Sequence, residues 1–255
     1  MGYSRPPFLK RKMLRAYCSQ WDGGDLLPRL ERDEVHHLVR VRRVRIGEEV
    51  EILNGRGDIG LAEVTNCGSR SVDLCLKSQR HVSASSLSIH LLVAMPKGKT
   101  FPVLLHKAVE LGVAEITPLL SENVEVPAGR AEEKRERWES VLTEALKQSG
   151  NPWMPRLNPT CSLEEALQGG ATKQRICAAL QTDALPLWNL LGTRLQPEGK
   201  IDVFVGPEGD FSTGEYDLLR AGGCTFTTLG PLVLKVETAA SLVVGVLQVW
   251  ASGSA

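Results

Sequence analysis

The sequence predicts an α/β protein in two parts: a small β-rich domain over residues 1–82, and a domain over residues 83–255 whose parallel sheet is covered by helices. Three observations predict this fold class. Residues 35–76 read as short strands separated by turns, and residues 81–88 ("HVSASSLS") form a joint of mostly small residues. Beyond that joint, strand-like and helix-spaced segments alternate, which is typical of parallel sheets with crossover helices.

The first domain contains a glycine pattern that two different structures could explain. In "VEILNGRGDIGLAEVT", two apolar runs flank Gly55, Gly57 and Gly60, which satisfy the dinucleotide pattern G-x-G-x-x-G. That pattern requires a helix afterwards, because the helix amides bind the pyrophosphate. The residues that follow are strand-like, and "SVDLCLKS" further on alternates as a strand does. We therefore predict a β-hairpin.

The second domain carries four helix signals between its strands. Two apolar stripes at helical spacing are ended by Gly112 and Gly150. Two further helices are predicted by capping boxes, in which Ser162 and Ser212 are each followed three residues later by glutamate. The predicted strands are "VAEITPLL", "RICAALQ", "IDVFVG" and "CTFTTL".

Charge and apolar content restrict the function classes. Lys plus Arg and Asp plus Glu number 30 each, but residues 1–82 hold 15 basic against 11 acidic residues. The amino-terminal segment has no apolar region of the kind a signal peptide needs. The apolar residues 239–250 are too few to cross a bilayer and include Gln248. We expect a soluble, cytoplasmic protein with no membrane contact.

The six cysteines form no C-x-x-C pair, and none stands at metal-finger spacing from the five histidines. Reduced thiols in a cytoplasm are the expected state, and no metal site is predicted.

The segment "VAMPKGKT", residues 93–100, has the strand, Gly-Lys-Thr and helix of a nucleotide-triphosphate loop. The first glycine of that motif is replaced by Val93, and Pro96 has no amide hydrogen for a phosphate. We reject a P-loop, which leaves Lys97 and Lys99 for another role.

Two glycine-proline turns are the strongest site signal. "FVGPEGDFSTGEYDLL" breaks a strand at Gly206, and "LGPLVLKVETAAS" breaks another at Gly230, each before a helix. In open α/β sheets, ligands bind beyond the carboxyl ends of the strands. Two such turns side by side would form a slot of bare backbone that suits a flat heterocycle.

These turns, with "HHLVRVRRVRIGEEVEILNGRG", "MPKGKTFPVLLHKAVELGVAEITPLLSENV" and "ERWESVLTEALKQSG", resemble the RsmE family of SPOUT methyltransferases. The matching stretches run in family order from about residue 35 to the carboxyl terminus. That family methylates N3 of a uridine in small-subunit ribosomal RNA with S-adenosylmethionine.

The resemblance implies a PUA-like β-barrel in front, a trefoil-knotted SPOUT domain behind, and a homodimer. It implies S-adenosyl-L-methionine as cofactor, and 16S rRNA or the assembled small ribosomal subunit as partner. By position, the implied cofactor residues are Leu180, Gly206, Glu208, Gly209, Leu229, Gly230 and Leu234.

The sequence departs from the family pattern at five positions. The last motif of the family usually reads L-G-x-R-I-L-R-T-E-T-A, and both of its arginines are replaced here. Two more arginines and a glycine are also exchanged. A lysine keeps the charge of an arginine but loses its planar fork. The residues present are Leu232, Lys235, Asn123, Asn151 and Asp210.

Methylation of an imide nitrogen requires a group that stabilises charge on O2 or O4 and a proton acceptor. We assign Lys235 as the charge-stabilising group and Glu237 as the acceptor or orienting group. A helix-start carboxylate that merely favours the helix dipole is an equally good interpretation of Glu237. Two alternatives stay open: a SPOUT enzyme for another RNA position, and an RNA-binding relative that has lost activity.

The basic stripe "VRVRRVRIG" predicts phosphate contacts in the first domain. Lys97 and Lys99 match a basic loop that follows a strand in the family. We expect RNA contacts from Arg40, Arg42, Arg43, Arg45, Lys97 and Lys99.

Overall fold

The computed structural model describes residues 13–27, 30–68, 71–96, 100–123, 133–168 and 174–254. The chain divides into two compact units. The front unit comprises Met1–Ala84 and Leu146–Trp153, and the back unit comprises Ser85–Ala145 and Met154–Ala255. Each unit is described by itself below.

The front unit is built on one four-stranded sheet in the order β1-β2-β3-β4. β1 is parallel to β2, and the other neighbours are antiparallel. β2 and β3 pair across the glycine-rich turn, so the predicted hairpin is confirmed; β1 has no counterpart in the sequence prediction. The strands are β1 (Leu14–Tyr17), β2 (Glu49–Leu53), β3 (Asp58–Cys67) and β4 (Val72–His81).

The prediction of strands from residue 35 onward was wrong for residues 35–41. These residues belong to α1 (Arg32–His36) and to a π-helical turn (His37–Val41) that continues it. Val35 and Leu38, three residues apart, are both buried in the core of the front unit. Burial of this helical face explains why the arginine-rich segment does not form a strand, despite its alternation of polar and apolar residues.

The segment Leu146–Trp153 is tied to the front unit by buried charge. Lys147 Nζ lies 2.7 Å from Glu34 Oε1, and both side chains are almost fully buried. Arg15 donates hydrogen bonds to the carbonyl oxygens of Lys147 and Gln148. The ion pair and these capped carbonyls fix the end of the helix that carries Lys147.

The back unit contains a sheet in the order β10-β12-β9-β11-β5-β6-β7, with β8 beside β6. All of its strand pairs are parallel, so the predicted parallel sheet is confirmed. The strands are β5 (Leu87–Ala94), β6 (Glu115–Leu120), β7 (Arg156–Leu157), β8 (Cys161–Ser162), β9 (Gln174–Ala178), β10 (Leu185–Pro186), β11 (Gly199–Val205) and β12 (Thr225–Thr228).

The four predicted helices form, and both capping boxes are present. Gly112 and Gly150 follow their helices at φ +72° and +76°, where an L side chain would be strained. A further helix, α5, is too short to show helical periodicity. The helices are α2 (Thr100–Glu110), α3 (Arg135–Ser149), α4 (Leu163–Gln168), α5 (Leu187–Leu190), α6 (Thr213–Ala221) and α7 (Val236–Gly253).

Helices cover both faces of this sheet. Consecutive residues of a strand point to opposite faces, and Leu91 and Leu92 in β5 show the two environments. Leu91 lies between α2 and α7 beside Leu104 and Val244. Leu92 belongs to the core cluster that contains Leu219 of α6.

α7 corrects the prediction about the apolar carboxyl-terminal stretch. The helix spans 18 residues, Val236–Gly253, and by length and composition alone it could cross a membrane. One of its faces is part of the core: Val243, Val244 and Leu247 are buried, and the helix packs on α2 and β5. That packing is what the core helix of a globular protein requires.

Candidate functional site

A cleft of about 130 Å³ opens at the carboxyl ends of three neighbouring strands, β9, β11 and β12. The first turn, residues 206–212, follows β11, and the second turn, residues 229–235, follows β12. Residues 178–180 at the end of β9 complete the wall. The site is at the sheet edge where open α/β folds bind ligands.

The structure brings six of the seven predicted cofactor residues together in the wall of this cleft. The seventh, Gly209, belongs to the first turn but does not line the cleft. A Cβ atom at Gly209 would lie 3.5 Å from Asn123 Cβ, so this glycine faces Asn123. The six residues in the wall are Leu180, Gly206, Glu208, Leu229, Gly230 and Leu234.

The first turn is tightly packed. A Cβ atom added at Gly206 would lie 3.1 Å from the ring of Phe211, so any larger residue there would have to displace that ring by a few tenths of an ångström. Asp210 has φ +64°, a backbone conformation that residues other than glycine rarely adopt. Its Oδ1 accepts hydrogen bonds from the Phe211 amide at 2.9 Å and the Tyr216 hydroxyl at 2.6 Å.

Tyr216 is an obligate donor in this contact. Its side chain is buried in α6, and burial raises the pKa of the phenol well above its usual range, with the hydrogen bond to Asp210 adding to the shift. The hydroxyl therefore keeps its proton throughout the neutral range.

Two further side chains fasten the first turn to the end of β6. Asn123 Nδ2 donates to the carbonyl oxygen of Asp210 at 2.9 Å. The buried Glu215 carboxylate accepts from the Ser121 hydroxyl and from the Glu122 amide, at 3.1 Å each. Glu215 also accepts from the Ser212 amide at 2.8 Å, which completes the cap of α6.

The second turn is much more open. Leu232 and Val233 line the cleft, yet their exposed fractions are 72% and 82%. Gly230 has φ +134°, and a Cβ atom there would meet nothing within 4 Å. Thr228 Oγ1 donates to the Gly230 carbonyl at 3.0 Å.

The two predicted catalytic residues stand at the rim of the cleft. Lys235 is the N-cap residue of α7, exposed and without a side-chain capping hydrogen bond, between the lining residues Leu234 and Val236. Glu237 is half-buried in the first turn of α7. The positive end of the α7 dipole thus lies at the end of the second turn, which also carries Lys235, and both charges would stabilise a developing negative charge there.

The predicted RNA-contact arginines lie on the front unit, and all four are exposed. Arg40 belongs to the π-helical turn, and Arg42 Nε donates to His37 Nε2 at 3.2 Å. Arg43 has φ +54°, and the Arg45 amide donates to Glu48. Lys97 and Lys99 lie outside the described residues. Within the described ranges, no group of three His, Cys, Asp or Glu side chains could hold a metal ion.

Sequence reasoning missed nine of the fifteen residues that line the cleft. Asp210 was noted only as a departure from a family pattern, although its carboxylate organises the first turn. The other missed residues lie within two positions of predicted ones in the chain. They are Ala178, Ala179, Val205, Pro207, Leu232, Val233, Val236 and Ala239.

Comparison with known proteins finds a matching domain family for each of the two units. A model described as an RNA methyltransferase domain matches residues 83–248, and one described as an RNA methyltransferase PUA domain matches residues 30–74. A crystal structure of a ribosomal RNA small subunit methyltransferase E from Neisseria gonorrhoeae, bound to S-adenosyl methionine, is similar with a TM-score of 0.82. It is 27% identical, and the match covers 93% of this chain and 97% of that one.

Two curated relatives also carry the name ribosomal RNA small subunit methyltransferase E, one of them with the suffix 2. The ribosomal RNA small subunit methyltransferase E of Aquifex aeolicus is 27% identical over 92% of this chain and 99% of the relative. The ribosomal RNA small subunit methyltransferase E 2 of Borreliella burgdorferi is 26% identical over 80% of this chain and 83% of the relative. Because the methyltransferase-domain model spans more than half of the chain, and because these relatives agree on the name, this chain belongs to the RNA methyltransferase family and, within it, to the RsmE group.

Proposed function

We propose that this protein transfers the methyl group of S-adenosylmethionine to N3 of a uridine in 16S ribosomal RNA. One observation carries the proposal: a cleft lined by two glycine-containing turns and apolar side chains at the carboxyl ends of β9, β11 and β12, in a chain of the RNA methyltransferase family. The RsmE from Neisseria gonorrhoeae, which binds S-adenosyl methionine, has the same fold.

The cleft fits such a cofactor. Its wall combines apolar side chains with the backbone of two turns, in which Gly206 and Gly230 leave the main chain accessible. Flat heterocycles are held by this combination of apolar contact and a few backbone hydrogen bonds. The six lining residues Leu180, Gly206, Glu208, Leu229, Gly230 and Leu234 would hold the cofactor, which supplies an electrophilic methyl group on a sulfonium.

The residues at the rim would serve the nucleophile. N3 of uridine must lose a weakly acidic proton while it attacks the methyl carbon in line with the departing sulfur. Lys235, supported by the amino-terminal end of α7, would stabilise the negative charge that spreads onto O2 and O4. Glu237 would orient the base or accept the proton, and we propose that the reaction needs no metal.

Mass spectrometry of ribosomal RNA nucleosides tests this proposal. Purified protein and S-adenosylmethionine are added to small subunits from cells that lack the gene, and to naked 16S rRNA. We expect 3-methyluridine to appear with one of these substrates. Another methylated nucleoside would instead indicate a methyltransferase for a different RNA position, and RNA binding without any methylation would indicate a non-catalytic protein.

The front unit would bind the RNA backbone. The exposed Arg40, Arg42, Arg43 and Arg45 form one basic segment on a PUA-type domain, and we propose that Lys97 and Lys99 add contacts. Loss of one phosphate contact should lower the salt dependence of RNA binding by about one counterion, whatever the RNA sequence. Arg42→Ala, tested by a salt titration against 16S rRNA, should leave cofactor affinity unchanged.

We also propose a domain division at residues 82 and 83, a SPOUT-type trefoil knot in the second domain, and a soluble cytoplasmic homodimer. The outer face of α7 supports the dimer, because Trp188, Leu242 and Val249 are exposed around an apolar groove. Light scattering should give about twice the 27.9 kDa chain mass. Val249→Asp should shift the protein toward the monomer, and a wild-type monomer at micromolar concentration would contradict the dimer.

A further inference from the structure

The first turn of the cleft places an aspartate where the backbone favours glycine. Asp210 has φ +64°, and apart from Arg43 in the front unit it is the only residue other than glycine with positive φ in the described ranges. Aspartate tolerates this conformation better than most side chains, but it remains disfavoured. The surrounding contacts must therefore hold the turn in place.

One of these contacts comes from the helix that follows the turn. The Tyr216 hydroxyl donates to Asp210 Oδ1 at 2.6 Å. The tyrosine ring cannot move away easily, because it is buried and lies edge-on to both Phe211 and Phe226, with ring centroids 5.8 and 5.4 Å apart. A fixed donor thus meets the carboxylate from the core side.

The other contact comes from the end of β6. Asn123 Nδ2 donates to the Asp210 carbonyl oxygen at 2.9 Å and lies 3.5 Å from the Gly209 carbonyl oxygen. Asn123 is itself held in place, since the neighbouring Ser121 and Glu122 are hydrogen-bonded to the buried Glu215. Asn123 therefore holds the main chain of the first turn, while Tyr216 holds the side chain of Asp210.

We infer that Asn123, Asp210 and Tyr216, here called the turn latch, are positioning residues that hold the first turn in its cofactor-binding shape before the cofactor arrives. This inference rests on the proposed function, because the ligand concerned is S-adenosylmethionine. A turn that is already ordered loses less conformational entropy on binding, so the latch increases cofactor affinity. Gly206 and Glu208, which line the cleft, lie within the latched segment.

The variant Asp210→Gly distinguishes two explanations of residue 210: that its carboxylate holds the turn, or that its backbone only has to adopt positive φ. If residue 210 only had to adopt positive φ, Asp210→Gly would relieve the strain, and affinity would stay the same or increase. If the carboxylate holds the turn, the same substitution loosens the turn and weakens binding, even though it removes strain. The two ideas therefore predict opposite signs for one variant.

The experiment is calorimetric titration of the full-length protein with S-adenosylmethionine, together with thermal unfolding. Asp210→Gly should weaken cofactor binding about tenfold, which is the size expected for lost hydrogen bonds to a carboxylate. Tyr216→Phe and Asn123→Ala should each weaken it several-fold. Asp210→Asn retains an acceptor oxygen and should stay within about threefold of wild type. The matched control is Asp217→Asn, because Asp217 is an exposed carboxylate on α6, next to Tyr216, and lies outside the cleft wall.

Hydrogen exchange of the cofactor-free protein gives a second readout. Amides of residues 208–211 should exchange faster in Asp210→Gly and Tyr216→Phe than in wild type, while the remaining amides of the back unit do not change. Unchanged affinity in Asp210→Gly would overturn the inference, and so would an equal loss in Asp210→Asn, because charge rather than the latch would then matter. If wild type itself bound no S-adenosylmethionine, the proposed function would fail instead.

Discussion

The two turns that form the cleft differ in how they are held. The first turn is fixed by hydrogen bonds that Asn123 and Tyr216 donate to Asp210, and it enters α6 through a complete capping box in which the Glu215 carboxylate accepts from the Ser212 amide. The second turn exposes Leu232 and Val233 and enters α7 at Lys235, which makes no side-chain cap. One wall of the site is therefore preformed, and the other has few internal constraints.

This difference suggests a division of work within one site. A preformed wall lowers the entropic cost of holding a ligand. A lightly constrained wall can adjust around a ligand, and in this protein it also carries Lys235, the charge beside the amino-terminal end of α7. We therefore expect cofactor binding to need both walls, the first turn through its preformed shape, and only the second turn to contribute directly to the methyl-transfer step through Lys235.

The largest effect should come from Lys235 in the second turn. Lys235→Ala should lower the rate of methyl transfer by about 10²-fold or more, because loss of one group that stabilises transition-state charge has an effect of that order. The affinity for S-adenosylmethionine should change little. Single-turnover transfer of labelled methyl groups to small subunits measures the rate, and calorimetry measures the affinity.

Lys235→Arg is the companion variant, since it keeps the positive charge and should retain measurable transfer. Equal rates for wild type and Lys235→Ala would remove the chemical role that we assign to the second turn.

Gly230 should give the next largest effect. Valine at φ +134° is strained although the surrounding space is free, so Gly230→Val should weaken cofactor binding by about tenfold or more. Gly223 is the matched control, because it also has positive φ with nothing within 4 Å of a Cβ atom, but it lies outside the cleft wall. Gly223→Val should lower the thermal midpoint similarly and leave affinity unchanged. If both variants lost affinity equally, a general loss of stability would explain the result.

Loss of the N-cap residue should lower the free energy of unfolding for the first turn but not for the second. Ser212→Ala removes a cap that accepts the Glu215 amide hydrogen, and it should lower the free energy of unfolding by about 1 kcal/mol. Lys235→Ala removes no capping hydrogen bond and should leave the unfolding free energy within about 0.5 kcal/mol of wild type. Urea unfolding of both variants provides the test. A larger loss in Lys235→Ala would contradict the contrast between the turns.

The smallest effect concerns pH. The pKa of the Tyr216 phenol is raised in the folded protein, so its contribution to stability is fully present below the unfolded value, about 10, and is lost as pH rises above it. Between pH 6 and about 9 this group should add no pH dependence. The difference in unfolding free energy between wild type and Tyr216→Phe should thus be flat in that range and shrink above about pH 10. A difference that already declines at pH 8 would be inconsistent with a buried, hydrogen-bonded phenol.

Part of the candidate site could be predicted from the sequence, because its two turns are marked by patterns of neighbouring residues. Gly206 and Gly230 mark breaks after apolar runs, and the capping box at Ser212 fixes where α6 begins. These signals depend only on neighbouring residues, and they were enough to identify both turns. Gly209 shows the limit, because the sequence placed it with Gly206 in the cofactor site, while the structure turns it toward Asn123.

The latch could not be found in the same way. Asn123 and Asp210 were two separate departures from a family pattern, 87 positions apart, and nothing in the sequence connected them. The start of the first domain was mispredicted for a similar reason: residues from 35 onward were expected to form short strands, whereas residues 35–41 are helical and bury Val35 and Leu38. In both cases the deciding contact is made by residues that are distant in the chain.

The sequence by itself determined the order of the longer strands and helices in the back unit, the hairpin around Gly57 and the two turns of the cleft, but not the two-residue strands β7, β8 and β10 or the short helix α5. Each depends on periodicity, capping or glycine backbone freedom over a few consecutive residues. Tertiary structure alone decided the strand order β10-β12-β9-β11-β5-β6-β7, which puts the ends of β9, β11 and β12 side by side. It also decided the contact of Asn123 and Tyr216 with Asp210, because long-range pairing minimises unpaired polar groups and exposed apolar surface over the whole unit, and no local pattern records that balance.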